Sequence, residues 1–125
     1  MLRNQRFLGA WELVSFESRA ADGTVTRPMG DDPVGIIIWD ASGAMSAQLG
    51  PRDAEAGPYV AYFGTLEAED EREGELTHRV TGASLPRLRT DQVRQYRFLS
   101  DDELVLQPPP STDGSSSELL WRRIR

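Results

Sequence analysis

Gly9-Ala10-Trp11 near the start of the chain and Trp121-Arg122-Arg123 near its end are the two stretches from which the architecture can be read. A Gly-x-Trp opening and an Arg-bearing final segment suit a small antiparallel barrel that seals one of its ends. The Trp11 indole supplies a broad flat plug. An arginine of the last strand can lie across it, a cation–π contact worth roughly 0.5–2 kcal/mol. Trp11, Trp121 and Arg123 are therefore expected to close the barrel. Between these ends, turn residues recur every 8–12 residues or so, the spacing of an all-β sandwich or barrel. They are Ala21-Asp22-Gly23, Gly30-Asp31-Asp32-Pro33, Asp40-Ala41-Ser42-Gly43, Gly50-Pro51, Gly57-Pro58 and Ser100-Asp101-Asp102. The runs they bound (7–18, 24–28, 34–39, 44–49, 59–67, 75–81, 92–99, 103–107 and 118–124) make eight or nine strands joined as a meander.

Three segments break the rhythm. Residues 51–57 read as a short helical turn or a lid. Residues 67–75 hold six acids in nine positions and read as a solvated hairpin tip. Residues 108–117 form a Pro/Ser/Gly connection, expected to be mobile.

The bulk numbers bound the function. The 125 residues read as one domain, residues 1–125, long enough to enclose a core. A net charge of −6 argues against a nucleic-acid partner. No run approaches the ~18 apolar residues that a membrane span needs, so no membrane partner is expected. No apolar stretch follows Arg3 and Arg6, so a signal peptide is not expected and a cytoplasmic location is. The chain has no cysteine, which removes disulfides, thiolate nucleophiles and Cys-based zinc sites. All fourteen basic residues are arginine, which removes lysine Schiff-base chemistry. With one histidine there is no metal-ligand set, and no phosphate-binding glycine loop or Gly-x-Ser-x-Gly elbow is present. No metal and no cofactor are expected.

Strand alternation sorts the remaining polar residues. Trp11, Leu13 and Ser15 share one face of the first strand. His78 shares a face with Leu76 and Val80, opposite Thr77, Arg79 and Thr81, so it points inward. Gln92, Arg94, Tyr96 and Phe98 oppose Val93, Gln95, Arg97 and Leu99, and neither set is purely apolar, so either Arg94 or Arg97 faces the interior. Ser46 and Gln48 alternate with Met45, Ala47 and Leu49 and fit either the interior or the outer face. Trp39, Phe63 and Phe98 fit core or pocket wall.

The ordered set LGAWELVSFE, GDDPVGIIIWDASGAMSAQL, YVAYFGTLE, LTHRVTGASLP, DQVRQYRF, DELVLQPP and LLWRRI resembles the bacterial and fungal lipocalin-like domain family over nearly the whole chain. The resemblance implies an all-β, eight- to nine-stranded antiparallel up-and-down barrel with an internal cavity. In that cavity a small organic molecule would be bound or, in some lipocalin-like barrels of natural-product pathways, cyclised or isomerised. By motif, Trp11 matches the family's opening Trp, and Tyr62 and Gly64 its Tyr-x-Gly. His78 takes its His position, Gln92, Arg94 and Tyr96 its Gln-x-Arg-x-Tyr, and Trp121 and Arg123 its closing Trp-x-Arg. Members often carry two adjacent histidines where this chain has His78-Arg79, so a role needing a histidine pair does not transfer.

His78 is the only side chain whose unshifted pKa lies near neutrality. Should Tyr62, His78 and Arg94 converge, His78 would serve as general base or acid, Tyr62 as hydrogen-bond donor and Arg94 as a fork for a carboxylate or enolate. The same three groups would equally make a paired polar network that fixes the core.

Three functions fit these residues. The first is a barrel binding a small, largely hydrophobic molecule through Trp39, Ser46, Gln48, Tyr62, His78, Gln92, Arg94 and Tyr96. The second is a cofactor-free isomerase or cyclase with Tyr62, His78 and Arg94 as its catalytic set. The third is a solid-cored interaction module acting as a homodimer.

Overall fold

The structure is a computed structural model and describes residues 4–53, 55, 57, 59–70 and 74–125. Its strands are β1 (Gly9–Arg19), β2 (Val25–Thr26), β3 (Val34–Trp39), β4 (Ala44–Gly50), β5 (Val60–Asp70), β6 (Glu75–Ala83), β7 (Gln92–Ser100), β8 (Glu103–Gln107) and β9 (Ser116–Arg123). From β3 to β9 each strand pairs antiparallel with the next, and β1 pairs with both β3 and β9. That closes an eight-stranded barrel, with the two residues of β2 appended to the far end of β1. Among the described residues helix is confined to 3₁₀ turns such as Gln5–Phe7 and Pro86–Leu88. The turn or lid expected over 51–57 includes residues 54 and 56, and the tip of the acidic hairpin residues 71–73; these lie outside the described residues.

Pairing puts Trp11, Leu13, Ile37, Trp39, Met45, Ala47, Tyr62, Leu66, Leu76, Leu104, Leu106, Leu119 and Trp121 in one buried cluster. One expectation changes. The β1–β9 register steps from Leu13↔Trp121 to Ser15↔Leu120, leaving Val14 as an extra residue. A bulge of one residue flips every later side chain to the opposite face. Phe16, not Ser15, therefore follows Leu13 into the core.

One end of the barrel is sealed. The 3₁₀ turn drives Phe7 into it, edge-on to Trp39 and Tyr96 at centroid distances of 5.2 and 4.9 Å. Trp11 lies beneath, its Nε1 donating to the Phe7 carbonyl at 3.0 Å. Arg123 crosses the Trp11 ring with its guanidinium carbon 4.2 Å from the centroid. Its N–H groups donate to the carbonyls of Leu8 (2.7 Å), Arg6 (2.7 Å) and Asp101 (3.1 and 3.2 Å). One guanidinium thus ties the entering chain, the β7–β8 turn and the last strand together. Gly9 enters β1 at φ +116°, a left-handed conformation that disfavours any side chain, and this explains the glycine two residues before Trp11. The connections 84–91 and 108–115, together with the β1–β3 segment and the described residues 51–53 and 59 between β4 and β5, gather at the opposite end.

Gly64 marks the tightest strand contact. A Cβ there would stand 1.8 Å from the Arg79 carbonyl oxygen, inside the irregular stretch of the β5–β6 ladder. Gly64→Ala is expected to cost several kcal/mol, enough to abolish soluble folded protein or drop its denaturation midpoint steeply. Arg123→Lys keeps the charge but loses the planar fork. It is expected to lower stability by about 1–2 kcal/mol in chemical denaturation, because the carbonyls of Leu8, Arg6 and Asp101 lose donors that the ammonium cannot all replace.

Candidate functional site

Above the sealed end the barrel encloses a chamber of about 130 Å³. Its wall is largely hydrocarbon: Phe16 and Leu119 where β1 meets β9, Ile37, Ala47 and Leu49 on β3 and β4, and Leu106 on β8. Met29, Val60 and Pro108 form the rim under the long connections. Three residues with polar groups interrupt the wall: Tyr62 from β5, Arg94 from β7 and Trp121 from β9.

Arg94 is the inward arginine of β7; Arg97 stands outside, 3.9 Å from Glu118. The Arg94 guanidinium donates to the Val93 carbonyl (2.7 Å) and to Gln92 Oε1 (3.1 Å). Gln92 is itself anchored by its amide to the carbonyls of Leu88 and Thr90, each at 3.2 Å. Among the described residues no carboxylate pairs with Arg94, although ten ion pairs decorate the exterior and rim. Burial lowers its pKa, yet guanidinium is so strong a base that it keeps its proton.

His78 is fully buried beside this group. Trp39 Nε1 donates to its Nε2 at 3.0 Å, and its Nδ1 lies 3.0 Å from the Tyr62 hydroxyl. Burial, helped by the positive charge of Arg94, pushes the His78 pKa down to about 3, so the ring is neutral. Burial raises the Tyr62 pKa while Arg94 pulls it back, so the phenol is neutral as well. A neutral imidazole whose Nε2 accepts a hydrogen bond carries its single proton on Nδ1. Neither nitrogen is then available to a substrate proton. The general-base role considered for His78 finds no free lone pair in this geometry.

The expected ligand-binding set therefore separates by position. Tyr62 and Arg94 line the chamber. Trp39, His78 and Gln92 stand behind them and fix their orientation. Tyr96 packs with Phe7 and Phe98 in the sealing cluster. Ser46 and Gln48 belong outside, because Met45, Ala47 and Leu49 take the inner face of β4; they border a shallow outer groove with Phe63 and Ser84. Trp11 and Arg123 sit at the seal, whereas Trp121 lies one layer higher, in the chamber wall. Its Nε1 is buried and, among the described residues, is the side-chain polar atom left without a hydrogen-bond partner. Trp121 was expected at the closure; alternation with Leu119 is the signal that could have placed it in the wall. Met29 and Pro108 had none, since both sit in connections. Among the described residues no three His, Asp or Glu side chains converge on a metal position.

A model of the lipocalin-like domain matches residues 8–58 and 52–124, together nearly the whole chain. The chain belongs to the lipocalin-like domain family. Solved structures similar to this lipocalin-like domain include a de novo designed fluorescence-activating β-barrel (20% identity, TM-score 0.51, 96% of this chain and 95% of that one). Two redesigned β-barrels are also similar. One shows 14% identity and a TM-score of 0.55, over 97% and 94% of the chains. The other, bound to DFHBI, shows 15% identity and a TM-score of 0.51, over 95% and 96%. At these identities the likeness concerns the fold. No curated protein matches the sequence.

The neutral His78 has a consequence for stability. Its folded-state pKa lies below the ordinary 6.5, so the unfolded chain binds that proton more tightly. Stability is then fully present above pH 6.5 or so and is lost as pH falls toward 3. Between about pH 6.5 and 4.5 the lipocalin-like domain is expected to lose roughly 2–3 kcal/mol in urea denaturation. His78→Gln should flatten that slope, since His78 is the only histidine in the chain.

Proposed function

We propose that this lipocalin-like barrel binds a small, largely hydrophobic molecule bearing carbonyl or carboxylate oxygen, held in the chamber with its oxygen toward Arg94. The observation that carries the reading is a guanidinium in the wall of an otherwise apolar chamber with no carboxylate partner among the described residues. Burying such a charge unpaired is costly, and an anionic or strongly accepting ligand offsets that cost. The polar side chains of the wall offer donors, and a ligand supplies acceptors.

Size narrows the class. An apolar cavity of about 150 Å³ is known to take up benzene, so a chamber of about 130 Å³ suits one ring or a short branched chain. Drug-sized ligands fill roughly 300 Å³ or more. The chamber also speaks against the solid-cored module. With both His78 nitrogens engaged, the geometry favours holding a ligand over acid–base turnover.

Titration calorimetry with benzoate and hexanoate against the matching amides tests this. The carboxylates are expected to bind more tightly than the amides. Arg94→Met should weaken them by about 10- to 100-fold, the worth of a charge-assisted hydrogen bond. The same variant should be as stable as the parent or more so, because an uncompensated charge has left the interior. Equal affinity for carboxylate and amide, or for parent and variant, would sink the proposal.

A further inference from the structure

We infer that Tyr62 faces the chamber as an obligatory hydrogen-bond donor, that Trp39 and His78 are the positioning residues that make it one, and that the ligand's head group is a carboxylate spanning Tyr62 and Arg94. The inference rests on the binding reading above and names its ligand class.

It follows from counting hydrogens. An indole N–H only donates, and Trp39 Nε1 lies 3.0 Å from His78 Nε2. Nε2 must therefore present its lone pair. Protonating it, in the other tautomer or in the imidazolium, would set two N–H groups against each other at that distance. The single imidazole proton is thus on Nδ1, 3.0 Å from the Tyr62 oxygen, and the phenol oxygen accepts it. The phenol keeps its own hydrogen. Among the described residues, His78 is the hydrogen-bond partner of that hydroxyl, so the hydrogen has no protein acceptor.

Arg94, which shares the chamber wall, acts electrostatically on both Tyr62 and His78 and is itself only a donor. Two donors thus meet at one wall of an apolar chamber: the phenol hydrogen has no protein acceptor, and Arg94 carries N–H groups beyond the two that bond the Val93 carbonyl and Gln92 Oε1. A head group with two acceptor oxygens and negative charge satisfies both. An alcohol or an ammonium group brings donors of its own, and an ammonium also meets like charge.

The sole histidine makes the test unambiguous. Long-range ¹H–¹⁵N correlation spectra of uniformly ¹⁵N-labelled protein are expected to show Nδ1 protonated and Nε2 bare, unchanged from pH 8 to pH 5. A ring protonated on Nε2, or one titrating near its ordinary value, overturns the inference. With benzoate as probe, Tyr62→Phe should weaken binding by roughly tenfold.

Trp39→Phe removes the donor to Nε2. His78 should then move its proton to Nε2 and accept from the phenol. Benzoate should weaken to a similar extent although Tyr62 is intact, and the double variant should be no worse than either single one. A packing role alone would move neither the tautomer nor this coupling. If Trp39→Phe does not fold, the wild-type spectra and Tyr62→Phe still decide. Benzoate binding that depends on Arg94 but ignores Tyr62→Phe sinks this inference and leaves the binding reading standing. An Nδ1-protonated ring with no carboxylate bound by the wild type sinks both.

Discussion

Strand β1 has to serve two neighbours, and the barrel exists because it does. Its first residues pair with β3 and nearly its whole length with β9, so the sheet has no free edge along the closure. Sharing one strand demands a sharp change of direction, and the extra residue at Val14 provides it. The same step decides which side chains fill the interior, turning Phe16 inward beside Leu119. Arg123 then fixes the corner where the closing strands meet the entering chain. Its donors are spent on carbonyls whose strand partners have run out.

From that corner a column of groups rises to the chamber. Phe7 packs on Trp39, Trp39 donates to His78, and His78 reaches Tyr62. Each member is buried, and each polar link leaves the next with a defined proton position. Burial and the Arg94 charge act in the same direction on His78, disfavouring its charged form. On Tyr62 they oppose each other; burial prevails and keeps the phenol protonated. The seal and the site are consecutive parts of one packed stack.

Most of the strand pattern was legible because each strand alternates and each turn carries Gly, Pro or Asp. The run 34–39 coincides with β3, and the inward set Leu76, His78 and Val80 follows from alternation alone. The face of Ser15 was not legible, because a bulge leaves no residue signature where the extra position is an ordinary valine. Arg94 and Arg97 could not be told apart from the sequence. Both alternation sets of β7 mix one arginine and one glutamine with two apolar residues, and only the ladder with β8 settles the face. Met29 and Pro108 escaped because a rim built from connections depends on how those connections fold back. The orphaned hydrogen of Tyr62 needs distances, which no spacing rule supplies.

Residues 4 and 125 both lie at the plugged base, held there by Asn4 capping the entering turn and Arg125 pairing with Asp102. A tag, a surface linker or a fused domain attached after residue 125 would hang from the foot of the cup. Immobilised that way, the molecule would stand upright with its entrance facing the sample. A short peptide joining residue 125 to residue 4 would free the rim connection over 108–115 to become the new ends of a permuted chain.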